Sequence, residues 1–176
     1  MTGPIRQRRL VAVTAYITIG ILILFFQLVP LSPGKPGTTA PDLTLCLTLA
    51  WILRRPDQLP AIVIAGVILV GDIMLSRPFG LWSFFVLTGT ELLRPRAQPW
   101  TDQAFVFEWL RVSALMGLMM LGFRLMMIVF LLPVPALGPV ALYWLTTVIA
   151  YPLIVAIIHV IGVRRLSAAE IEMMVH

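Results

Sequence analysis

Apolar residues run along this chain in six blocks separated by short polar breaks. The blocks cover 10–29, 42–53, 59–76, 79–93, 104–131 and 137–163. A bilayer core takes about 20 apolar residues per helix at 1.5 Å rise. The pattern therefore predicts an all-α, polytopic membrane protein, one integral domain over residues 1–176. Its architecture is a bundle of about six transmembrane helices. The blocks are unequal. As helices, 42–53 and 79–93 reach only about 18 and 22 Å, against a core of about 30 Å. Such helices must recruit loop residues, thin the bilayer locally or stand behind longer neighbours. Block 104–131 is too long, so its first two turns, with Glu108 and Arg111, are expected in the cytoplasmic headgroup layer.

Charge sets the orientation. Lys and Arg in short loops favour the cytoplasmic side. With the N-terminus inside, Arg6, Arg8, Arg9, Arg54, Arg55, Arg94, Arg96, Arg164 and Arg165 all fall inside, and only Lys35 and Arg77 fall outside. Nine against two supports six spans and two cytoplasmic ends. Dropping any one span destroys the alternation. The net charge of +5 is accordingly topological and implies no nucleic acid. The basic N-terminus resembles a signal peptide, but its apolar run continues for 20 residues to Val29. A cleavable signal has an apolar region of about 7–15 residues, so the run reads as a retained first helix.

Composition agrees: hydrophobic residues are 60 % and charged residues 12 %, against about 45–50 % and about 25 % in soluble domains. The longest polar interruptions, Pro30 to Pro41 and Arg94 to Asp102, leave no room for a soluble domain. The first, rich in Pro and Gly, reads as a stiff outer connector. Thr101 reads as an N-cap, with Trp100 and Phe105 as a hydrophobic staple. Ser167 and Glu170 form a capping-box pattern in the tail. A lone cysteine, Cys46, permits neither an internal disulfide nor a cysteine-rich metal site.

Ionisable residues inside a span need a partner or water. Asp72 and Arg124 both fall in the outer half of the membrane, and the expectation is an ion pair joining the third and fifth spans. Glu91 with Arg94, and Glu108 with Arg111, are spaced as local surface pairs. His159 reads as an interfacial or interhelical hydrogen-bonder. Met116, Met119, Met120, Met126 and Met127 crowd the fifth span. Thioethers suit Cu(I), but flexible packing against helices or a partner is the simpler reading. Gly66, Gly71, Gly117 and Gly122, with Ala61 and Ala65, supply small faces for close helix approach. No nucleophile–base set, HExxH, Walker loop or dinucleotide motif occurs, so neither an enzyme nor a cofactor is expected.

One stretch is more particular. It runs Ala40-Pro41-Asp42, then Trp51, Arg55-Pro56-Asp57, Gly66, Asp72 and Arg77-Pro78-Phe79-Gly80-Leu81. It resembles the rod shape-determining protein MreD family of bacterial inner membranes. That family has about this length and about six spans. Its second helix is led by proline and ends in an aromatic. Its third carries a glycine and a late aspartate before a proline-x-glycine turn. Tyr151-Pro152 resembles its aromatic-proline step in the last span. Arg124 and the methionines match nothing in the family.

The resemblance implies a multi-pass scaffold in the bacterial inner (cytoplasmic) membrane, working on cell shape within the peptidoglycan elongation machinery, or elongasome. Its implied partners are an MreC-type bitopic protein, a RodA-type glycan polymerase, a penicillin-binding transpeptidase, MreB filaments and membrane lipids. Asp72, Arg124, Arg77, Pro78, Gly80, Pro41, Trp51 and Pro56 are the structural or partner-facing candidates, with the outer loop around Lys35 and the Met-rich fifth helix as partner surfaces. The family fold also resembles the substrate-binding membrane subunits of energy-coupling factor transporters. The alternative is therefore a vitamin-binding subunit, which needs an outward pocket with convergent polar groups.

Overall fold

The computed structural model describes residues 3–28, 40–96 and 104–160. These form six α-helices and no strand: α1 (Gly3–Leu28), α2 (Leu43–Arg54), α3 (Ala61–Met74), α4 (Leu81–Leu93), α5 (Phe105–Val129) and α6 (Leu137–Val160). A 3-10 turn over Arg94–Arg96 follows α4. Helix ends lie close to the apolar blocks, except that α1 starts well before Leu10. The capping box of the tail, Thr101 with Trp100, Lys35 and the Pro-rich connector up to residue 39 lie outside the described residues.

Among the described residues, three helices are long and apolar enough to cross a membrane, α1 (from Arg9), α5 and α6. Helices α2, α3 and α4 have 12, 14 and 13 residues. The short α2 is explained by its position. Every residue from Thr44 to Arg54 is buried, so this helix is walled in by protein. Its mean apolarity serves the bundle interior. Tyr16 of α1 meets it through Thr48 (2.8 Å) and edge-on against Trp51. Helices α3 and α4 keep outward apolar side chains, among them Ile62, Ile73, Phe84 and Leu92.

Contacts fix the helix directions. Gly20 and Leu24 of α1 meet Val67 and Gly71 of α3 in parallel. Gly89 faces Met119 and Gly122 faces Phe85, so α4 and α5 run antiparallel. Gln27, at the end of α1, reaches the Pro41 carbonyl at the start of α2. Successive helices therefore alternate in direction.

Helix α3 ends in a Schellman motif: Arg77 N–H bonds the Asp72 carbonyl (2.9 Å) and Ser76 N–H that of Ile73 (3.3 Å). Ser76 takes the left-handed position at φ 52°. Helix α5 ends the same way, with Leu131 at φ 54°.

Small residues work unequally. A Cβ on Gly122 would come within 2.6 Å of the Phe85 ring, and one on Gly117 within 3.2 Å of the Trp144 indole nitrogen. Gly66, expected to be a packing residue, has nothing within 4 Å of such a Cβ. It faces outward because α3 turns its other side to α1. The methionines need the opposite correction as a partner surface. Met116, Met119, Met120 and Met127 are buried inside the bundle, and only Met126 is exposed.

Helices α5 and α6 are clasped by two indoles. Trp144 donates to the Ser113 carbonyl and Trp109 to the Val148 carbonyl, both at 2.9 Å. The second bond has a local cause. Pro152 lies inside α6 and has no N–H for the carbonyl four residues back. That carbonyl is Val148's, and Trp109 fills the vacancy.

Candidate functional site

Asp42 organises the end of the bundle where α1 stops and α2 starts. It precedes the apolar run of α2 and is its N-cap, accepting from Leu45 N–H through Oδ1 (2.9 Å). Its own N–H donates to Thr147 Oγ1 on α6 (3.1 Å). Oδ2 accepts from the Tyr143 hydroxyl (2.7 Å) and from both terminal nitrogens of Arg77 (3.3 Å each). Arg77 also donates to Tyr143 Oη (2.9 Å). Its guanidinium carbon stands 5.3 Å from the centroid of the Trp82 ring, a cation–π distance. Burial works against the Arg77 charge, but Asp42 and its neighbours outweigh burial and hold the pKa above its ordinary value. The arginine stays charged at every physiological pH.

Asp72 does a separate job. Its Oδ2 accepts from Gly80 N–H (3.2 Å), Ser83 N–H (3.2 Å) and Ser83 Oγ (2.8 Å). A carboxylate at the end of α3 thus caps the start of α4 across the Arg77–Gly80 turn, where negative charge is favoured. Gly80 sits at φ 77°, a conformation open to glycine. Asp72 is fully buried, and its Oδ1 has no hydrogen-bond partner among the described residues.

The expected Asp72–Arg124 pair does not form. Asp72 is drawn to the start of α4, which offers two backbone N–H donors and the Ser83 hydroxyl at once. Arg124, five residues before the end of α5, donates Nη1 to the Pro135 carbonyl of the α5–α6 loop.

A second cluster lies at the opposite end of the bundle. Glu108 Oε1 accepts from the Tyr151 hydroxyl (2.8 Å) and lies 3.5 Å from Arg54 Nη1. Arg54 also donates to the Ala50 carbonyl (2.9 Å). Glu108 is 1 % exposed. It is therefore a buried bridge from α5 to α2 and α6, where the sequence suggested a headgroup-layer residue. Glu91 and Arg94 do pair at 3.0 Å, and Arg94 also holds the α2–α3 turn through the carbonyls of Pro56 and Leu59. His159 is exposed on α6.

At the Asp42 end of the bundle, between α1, α3, α4, α5 and α6, lies a pocket of about 400 Å³. Its wall is mainly apolar, with Leu75, Trp82, Met120, Phe123, Met127 and Val140. Its polar groups are Gln27, Arg77, Arg124 and Tyr143. Of the sequence candidates, Pro41, Arg77 and Arg124 meet here. Pro78 and Gly80 build the adjoining turn, where Leu81 N–H bonds the Pro78 carbonyl (3.2 Å). Trp51 and Pro56 belong to the opposite end of α2. Trp51 is buried and donates to Gln58 (3.4 Å).

Sequence reasoning missed Asp42 as the centre of a cluster, Tyr143 altogether, and the Arg54–Glu108–Tyr151 set. A side-by-side tally of acids and bases at each membrane face would have found the first. Asp42 and Asp72 are the acids expected on the outer side, and Arg77 follows Asp72 by five residues. Comparison with family models, with curated proteins and with solved structures returns no match. No group of three or more His, Cys, Asp or Glu able to hold a metal occurs among the described residues.

Proposed function

We propose that this chain is a six-span, non-enzymatic scaffold of the bacterial cell-wall elongation machinery, lying in the inner membrane with both ends in the cytoplasm. The observation that carries the reading is the use made of residues 40–81, the stretch resembling the MreD family. Its polar residues hold the bundle together: Asp42 and Arg77 tie α2 to α6, and Asp72 with Gly80 joins α3 to α4. A stretch devoted to rigid helix placement suits a protein whose work is recognition between helices. In lipid such recognition rests on packing and a few polar contacts. The alternation of helix direction supports six passes, and the buried position of α2 removes the objection that it is short. The partners on this reading are an MreC-type bitopic protein, a RodA-type polymerase and a penicillin-binding transpeptidase.

The outward pocket favours a second reading, a substrate-binding subunit of an energy-coupling factor transporter. One experiment separates them. The chain is tagged at its C-terminus, extracted from native membranes in mild detergent, and its companions identified. Recovery of the MreC-type protein with the polymerase and transpeptidase is expected. Recovery of two ATPases with a coupling membrane subunit would sink the scaffold.

A further inference from the structure

The outer pocket holds more positive charge than the bundle needs. Arg77 is balanced by Asp42. Arg124 is not balanced: its one hydrogen bond, among the described residues, goes to a backbone carbonyl. The other outer acid, Asp72, is held by Gly80 and Ser83. Asp57, Glu91 and Glu108 stand at the opposite end of the bundle. A guanidinium has five N–H donors in a fork that matches phosphate or carboxylate oxygens. Here most of them remain available, at the wall of a pocket whose lining is mainly apolar. A cation in such surroundings is stabilised by an anion far more than it would be in water. The apolar wall, with the faces of Trp82 and Phe123, in turn suits hydrocarbon.

We propose that this pocket binds an anionic amphiphile, with a phosphate-type headgroup on Arg124 and hydrocarbon along Phe123, Met127 and Val140. The inference goes beyond the scaffold reading and stands whether or not that reading holds. A membrane phospholipid and a soluble phosphate share the headgroup chemistry and are told apart by the need for a chain.

The test is native mass spectrometry of the full chain in neutral detergent, titrated with dioctanoyl phosphatidylglycerol, dioctanoyl phosphatidylcholine and glycerol phosphate. The anionic lipid is expected to bind at least about tenfold more tightly than either of the others, one factor of ten being about 1.4 kcal/mol. Arg124→Gln should remove that preference, and Arg124→Lys should keep part of it. Val140→Phe, which fills the pocket without touching charge, should abolish binding at unchanged melting temperature. Equal binding of the two lipids would overturn the proposal, as would equal binding of glycerol phosphate. Undiminished binding to Val140→Phe would overturn the location. The lipid series on the unaltered protein and Val140→Phe remain decisive if Arg124→Gln fails to fold.

Discussion

Arg77 and Asp42 meet where neither charge can stand alone. The aspartate is 3 % exposed, and removing one partner of a buried pair costs about 3–5 kcal/mol because the other charge is left behind. Arg77→Gln should therefore lower the melting temperature in detergent sharply. Asp42→Asn/Arg77→Gln should recover part of the loss, because asparagine still accepts from Leu45 N–H through Oδ1 while its Nδ2 donates to the Tyr143 hydroxyl oxygen. A double variant no better than the single would mean that the charge of Asp42 is not what Arg77 relieves. Glycines differ at the same scale. Gly122→Ala must push the stiff Phe85 ring and should cost about 1–3 kcal/mol. Gly66→Ala meets open space and should gain up to about 1 kcal/mol from helix propensity. Melting curves of the two variants should move in opposite directions. The sequence treats these glycines alike, because composition marks a small residue and says nothing of the face it occupies.

Helices α5 and α6 illustrate how one element's defect becomes another's anchor. Pro152 leaves the Val148 carbonyl without its helical donor, and Trp109 supplies one. Trp109→Phe should cost about 1–3 kcal/mol, the penalty of an unsatisfied buried polar group. Pro152→Ala restores the helical N–H, so Trp109→Phe should cost clearly less in that background. Equal cost in both backgrounds would show that the indole matters only by its bulk. Here the elements were legible and their joints were not. Apolar blocks bounded by Pro, Gly and Arg located α2 to α6 to within a few residues. Three-dimensional partners of polar side chains depend on helix rotation, and apolar blocks with little periodicity do not encode it. For that reason the sequence pairs Asp72 with Arg124, whereas the start of α4 holds it. Glu108 was placed at the surface for the same reason, although α2 and α6 enclose it.

At the level of the whole molecule the number of crossings turns on the short helices. Among the described residues, three helices satisfy the length of a bilayer unaided. The remaining three are a linked run, and α3 is the critical one, since it has an outward apolar face and spans only about 21 Å. If it crosses, its flanking turns lie on opposite sides. Asp57 and Phe79 are both exposed in those turns. The endogenous thiol, Cys46, is fully buried and donates to the Thr147 carbonyl (3.3 Å), so it gives little background. A membrane-impermeant maleimide applied from outside should label Phe79→Cys and spare Asp57→Cys until the membrane is opened. That outcome agrees with the expectation from the arginine distribution, which puts Arg54 and Arg55 inside and Arg77 outside. Labelling of both positions from one side would mean that α3 returns without crossing, and the six-span topology would fall with it.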